Sequence, residues 1–106
     1  MKARVRFHLA ARLEAEAAAR WYEERQPGLG DDFFVTVEDT IHAIADARNP
    51  GTVSPDDPRA RRVRLYRFPY FIVFMLRSAS EIVIVAVAHA KRRPGYWRER
   101  LRSGKT

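Results

Sequence analysis

Two apolar runs separated by a short polar break constrain this chain more than any other feature. Residues 70–76 read Tyr-Phe-Ile-Val-Phe-Met-Leu and residues 82–88 read Ile-Val-Ile-Val-Ala-Val-Ala, with Arg-Ser-Ala-Ser-Glu between them. Their β-branched and aromatic composition makes both runs strands, and so short a connection makes them antiparallel neighbours. Alternate residues of a strand face opposite sides. Tyr70, Ile72, Phe74 and Leu76 thus oppose Phe71, Val73 and Met75, while Ile82, Ile84, Ala86 and Ala88 oppose Val83, Val85 and Val87. Both faces are apolar, so the sheet needs a cover on each side. Helices can supply one. The other falls to the C-terminal segment, a partner chain or a dimer mate.

The upstream residues supply the helical cover. Residues 3–8 alternate Val5 and Phe7 with Arg4, Arg6 and His8, the period of a short strand with one buried face. Residues 9–25 change to helical spacing. Leu9, Leu13, Ala17 and Trp21, widened by Ala10, Ala18 and Tyr22, form the stripe expected to face the core, which makes Trp21 a core residue. Pro27-Gly28 ends that helix. A second helix is expected from residue 29 or 31 to residue 48, with Phe33, Phe34, Val37, Ile41, Ile44 and Ala45 as its stripe. Asp31 and Asp32 sit near its positive end, and Asn49-Pro50-Gly51 stops it. Residues 50–58, with three prolines, read as an irregular, exposed loop. A further strand is expected at 61–67, where Val63 and Leu65 share a face with Arg61 and Arg67, and Arg62, Arg64 and Tyr66 take the other. At 106 residues this is one domain spanning 1–106, in the α+β class: two layers built from a strand, a helix hairpin and an antiparallel meander.

Charge is distributed unevenly. Residues 1–58 hold seven Lys and Arg against eleven Asp and Glu, whereas residues 59–106 hold thirteen against two. So steep an asymmetry points to a polyanion or an acidic partner protein. Cysteine is absent, which rules out disulfides and thiolate metal sites. The basic N-terminus lacks the apolar core of a signal peptide, and the apolar runs are far shorter than the ~20 residues of a membrane helix, so a soluble, cytoplasmic protein is expected.

Arg62 and Arg64 project from one strand face, and His89, Arg92, Arg93 and Tyr96 follow the last strand, so a shared sheet can bring them to one groove. Arginine matches phosphate oxygens with two donors and keeps its charge. His89 or Tyr96 would move protons there if the groove cut a phosphodiester. The competing reading is an ordinary interface of arginine and aromatic residues, with His89 a solvated strand end and Trp97 a clamp for the C-terminal segment. His8 and His42 stand on separate elements without carboxylates at ligand spacing, so neither metal nor cofactor is expected. Gly28-Leu29-Gly30 lacks the preceding strand and third glycine of a dinucleotide loop.

Several stretches together resemble the RelE/ParE superfamily of type II toxin–antitoxin toxins, also known as plasmid-stabilisation proteins. They are Ala-Ala-Ala-Arg-Trp-Tyr at 17–22, Pro-Gly-Leu-Gly at 27–30 with Phe33, and residues 44–50. The most specific are Arg67-Phe68-Pro69-Tyr70 with Ile72, residues 84–89, and Arg92-Arg93-Pro94 with Tyr96-Trp97 and Arg100. The resemblance implies a strand–helix–helix–meander fold with the first strand beside the last. It also implies a growth-inhibiting toxin neutralised by an antitoxin from the same operon, in a hetero-oligomer. Arg67, Tyr70, Arg92, Trp97, Arg98 and Arg100 are the expected partner-binding residues.

Within the superfamily, ParE-like members poison DNA gyrase, and RelE-like members cut mRNA on translating ribosomes. Arg62, Arg64, His89, Arg93 and Tyr96 are the catalytic set if the nuclease reading holds. No Glu or Lys stands on the 61–67 strand to act as general base, and arginine is a poor proton acceptor. The wording of the Phe-Pro-Tyr turn and of the ending is closer to the ParE-like branch, which is the expected one. A non-toxic nucleic-acid-binding or assembly module is the third reading.

Overall fold

In a computed structural model that describes residues 3–103, strand β1 (Arg4–Phe7) leads into helices α1 (Leu9–Arg25) and α2 (Leu29–Ala45). Strands β2 (Thr52–Val53), β3 (Arg61–Arg64), β4 (Tyr70–Ser78) and β5 (Glu81–His89) follow, and a short helix α3 (Arg100–Ser103) comes last. The strands form one sheet in the order β1-β5-β4-β3-β2, antiparallel except for the parallel pair β1–β5. The expected meander and the first strand beside the last are both present. This is the α+β, two-layer arrangement of strand, helix hairpin and meander. β3 stops three residues short of the expected strand, and the loop before it contains β2, which the sequence reading lacked.

α1 presents its small side to the sheet. Ala11, Ala15, Ala18 and Ala19 are buried, with Tyr22 half-buried beside them. Leu9, Leu13 and Trp21, expected in the core, are instead 48%, 53% and 50% exposed. Only methyl groups let a helix lie this close to β5, so the bulky residues stand outward and Trp21 is not a core residue. In α2, by contrast, the expected stripe is buried at Phe33, Val37, Ile41, Ile44 and Ala45, with Phe34 turned partly to solvent. α2 ends at Ala45 rather than residue 48, and Ala47 adopts φ 59° just beyond it.

The interhelix turn is held by a side chain. The backbone N–H groups of Gly28 and Gly30 both donate to the Glu23 carboxylate, at 3.0–3.1 Å. These are donors that a helix start leaves free. A Cβ on Gly30 would come within 2.7 Å of the Ala19 carbonyl oxygen, so this close crossing requires glycine.

Two cores flank the sheet. Under the helices lie Phe33, Ile41, Ile44, Leu65, Phe68, Ile72, Phe74, Ile82, Ile84 and Val87. On the opposite face Val73, Val83, Val85, Ala86 and Ala88 pack with Ala60, Trp97 and Leu101. The C-terminal segment is therefore the second cover, and burying Leu101 alone contributes about 2 kcal/mol.

One assignment of faces was wrong. Val73 pairs with Ala86 but Phe74 pairs with Ile84, leaving Val85 as an extra residue in β5. The bulge inverts the alternation beyond it. Val87 consequently joins the helix-side core, and Ala86 and Ala88 move to the other.

Candidate functional site

Glu14 is the hub that the sequence reading missed. Past Phe7 the chain turns into α1, so among the described residues no strand continues beside the edge of β5 that faced β1. Glu14 and Arg100 fill that edge. The Val87 N–H donates to Glu14 Oε1 at 3.0 Å, and an Arg100 guanidinium N–H donates to the Val85 carbonyl at 3.0 Å. Arg100 also grips Glu14 through both nitrogens, at 3.0 and 2.9 Å, and the Tyr96 hydroxyl donates to Glu14 Oε2 at 2.8 Å. Arg92 approaches the same carboxylate at 3.9 Å. Glu14 is three residues from buried Ala11 and four from buried Ala18, a helical spacing that marks it as an acid on the buried side.

Burial and the hydrogen bond to Glu14 raise the Tyr96 pKa well above the ordinary phenol value. Its ring lies between cations, with the Arg92 and Arg100 guanidinium carbons 4.0 and 5.2 Å from the centroid. His8 caps α1 by accepting the Ala10 N–H, and burial together with Arg100 lowers its pKa.

Most of the sequence-selected arginines and aromatics meet at a groove of about 240 Å³. Arg62, His89, Arg92, Arg93, Tyr96 and Trp97 line it, with Asp56 as the acid among them. Arg62 and Arg64 stack on the Phe71 ring, at 4.2 and 5.5 Å. His89 Nδ1 accepts the Lys91 N–H at 3.0 Å, and its ring meets Tyr70 edge-on at 5.0 Å.

The remaining selected residues are dispersed. Arg67, in a left-handed conformation with φ 73°, pairs weakly with Asp32 at 3.9 Å. Arg98 lies 3.9 Å from Asp57. Hydrogen bonds from Arg59 lower the Asp57 pKa to about 2. Trp97, expected to contact a partner, forms part of the groove wall but is only 3% exposed and packs in the second core, so it serves mainly to hold the C-terminal segment on the sheet.

A second groove, about 640 Å³, runs between α1 and the ends of β4 and β5. Trp21, Tyr22, Tyr70, His89 and Arg92 line it, and the exposed α1 stripe leads into it. Among the described residues, no group of three or more His, Asp or Glu could hold a metal ion, and no helix is long and apolar enough to cross a membrane.

Residues 5–94 match the family described as the ParE toxin of the type II toxin–antitoxin system parDE. The chain belongs to the ParE toxin family. Comparison with curated proteins gives no match. Among solved structures, a chain of the chromosomal ParDE toxin–antitoxin system from P. aeruginosa has the same fold, with TM-score 0.72 and 17% identity. The alignment covers 85% of this chain and 98% of that one. The ParE-family match stops before Tyr96, Trp97, Arg98 and Arg100, so the C-terminal side of the Glu14 clamp lies outside the matched residues.

Proposed function

We propose that this ParE-family toxin arrests growth by interfering with DNA gyrase through protein–protein contact and is silenced by an antitoxin from its own operon. The observation that carries the gyrase reading is the Tyr96–Glu14 hydrogen bond. It engages the hydroxyl that a nuclease would use, and the raised Tyr96 pKa makes that phenol a poor proton carrier. Among the described residues, no salt bridge brings a carboxylate to Arg62 or Arg64 to serve as a base beside them. The exposed α1 stripe and the groove holding Tyr70, His89 and Arg92 suit an amphipathic antitoxin segment.

The test is induction of the gene alone in a bacterial culture, with pulse-labelling by thymidine and methionine. Thymidine incorporation should fall first, and His89→Ala should leave toxicity intact. Earlier loss of methionine incorporation would overturn this reading. A harmless protein would instead favour the non-toxic nucleic-acid-binding or assembly module.

A second reading keeps one observation in its favour: Arg62, His89, Arg92, Arg93 and Tyr96 do line one groove. As a ribosome-dependent mRNA endonuclease, the protein would lose cleavage on Arg64→Ala or Tyr96→Phe while its fold survived. Absence of cleavage by the wild type on translating ribosomes would exclude it.

A further inference from the structure

Beside the arginine groove lies a second basic cleft, of about 350 Å³, that neither the gyrase reading nor the nuclease reading employs. Arg59, Arg93, Arg98 and Arg102 line it with Tyr96, and Glu99 is the acid among them. Among the described residues no Val, Leu, Ile or Met lines it. Arg93, Gly95 and Tyr96 belong to both cavities, so the two join across the turn at Gly95. That turn is tight: Gly95 has φ 72°, and a Cβ there would meet the Arg98 side chain at 2.7 Å.

The joined surface is a basic track from Arg64 and Arg62 on β3, past Arg93, to Arg59, Arg98 and Arg102. Arg62 and Arg64 stand on one strand face, about 7 Å apart. Asp57 accepts two side-chain hydrogen bonds from Arg59, at 3.0 and 2.7 Å, and holds Arg98 at 3.9 Å. Among the described residues, Arg62, Arg64, Arg93 and Arg102 have no salt bridge. Their charge is left for something outside the chain.

The lining selects the occupant. An acidic protein segment takes most of its affinity from apolar anchors in pockets, and the cleft offers none. A phosphate backbone binds by charge neutralisation alone. A single strand gains further by stacking its bases on aromatic rings, but the rings along the track are covered. Arg62 and Arg64 lie on Phe71 at 4.2 and 5.5 Å, and Tyr96 has Arg92 and Arg100 at 4.0 and 5.2 Å. A duplex, whose bases are already stacked, loses nothing by this.

We infer that the arginine track across the Gly95 turn binds the sugar–phosphate backbone of duplex DNA without reading its sequence. The choice of DNA over an RNA duplex rests on the gyrase reading; the track itself does not.

The probe is a fluorescent 20-base-pair DNA duplex of arbitrary sequence, titrated with the full chain at several salt concentrations and followed by anisotropy. Binding should be micromolar near 0.1 M salt and weaken steeply as salt rises, with a logarithmic slope of about −4. Arg64→Ala and Arg102→Ala, at exposed positions on opposite ends of the track, should each weaken binding severalfold and reduce that slope by about one. Arg20→Ala, exposed on the helix layer, removes the same charge and should change neither. The inference fails if no binding is seen at about 100 µM protein, if the slope is flat, or if Arg20→Ala matches the other two. Equal or tighter binding of the single strand would overturn the duplex, and tighter binding of an RNA duplex would overturn DNA. Growth arrest by a chain that does not bind the probe would remove the track alone. Binding by a chain that leaves thymidine incorporation intact would remove the gyrase reading alone.

Discussion

Glu14 and Arg100 are 86 residues apart in the chain and meet through two hydrogen bonds of 3.0 and 2.9 Å. Both side chains are mostly shielded, so removing one leaves the other with little water to replace it. The pair also occupies the open edge of β5, so its loss frees the Val87 N–H and the Val85 carbonyl. Arg100→Ala should cost about 2 kcal/mol, discounted from a fully buried pair for the remaining exposure. Thermal unfolding should then fall by roughly 10 °C. The double variant Glu14→Ala/Arg100→Ala should lose less than the two single losses combined, by more than about 0.5 kcal/mol.

Tyr96 gives the clamp an alkaline limit. Its pKa is raised by burial and by the bond to Glu14, so the folded chain keeps the proton after the unfolded chain has released it. Stability is therefore fully present below about pH 10 and declines as pH rises above it, until the folded phenol also ionises. Tyr96→Phe should cost about 1 kcal/mol at neutral pH and flatten that decline. Tyr22 and Tyr70, also raised by burial, should leave a smaller alkaline decline. Urea midpoints at about pH 8 and about pH 10.5 for both proteins decide it.

Ala47 sits just past α2 with φ 59°, and the backbone around it closes on Ala43 and Ile44. A left-handed residue with a Cβ costs roughly 1 kcal/mol, and helix ends of this kind favour glycine. Since Ala47 is exposed, Ala47→Gly loses no packing. It should raise stability by about 1 kcal/mol, read as a shifted denaturant midpoint with unchanged slope.

The two sides of α1 should respond in the reverse of what side-chain size suggests. Leu13→Ser, on the exposed side, should change stability by less than about 0.5 kcal/mol. Ala15→Leu, on the side packed against the core, should cost about 1–3 kcal/mol by overpacking. Equal losses for the two variants would contradict the helix orientation.

That reversal marks the boundary of what the sequence could disclose. Period and composition located α1, β4 and β5, because an extended apolar run or an alanine-rich helix declares itself locally. They did not orient α1, since Leu9, Leu13 and Trp21 also recur at helical spacing and outweigh alanine in any apolar reading. The Val85 bulge was hidden because it exists only in the pairing with β4. In the site, the residue types of the groove were visible and their meeting was anticipated. Glu14 was not, because its partners Tyr96 and Arg100 lie at the far end of the chain and only the folded edge of β5 brings them to it. Trp97 could be read as a clamp or as a contact, and burial assigns it to the clamp.

The C-terminal segment is also a safeguard against self-association. Trp97 and Leu101 shield a valine-rich sheet face, while Arg100 and Glu14 occupy backbone groups at the edge of β5. A chain cut before Pro94 would lose both shields at once. It would expose a sticky flat surface next to unpaired strand backbone, the combination from which aggregates nucleate. The thirteen residues from Pro94 onward thus decide whether that face and that edge are offered to other chains.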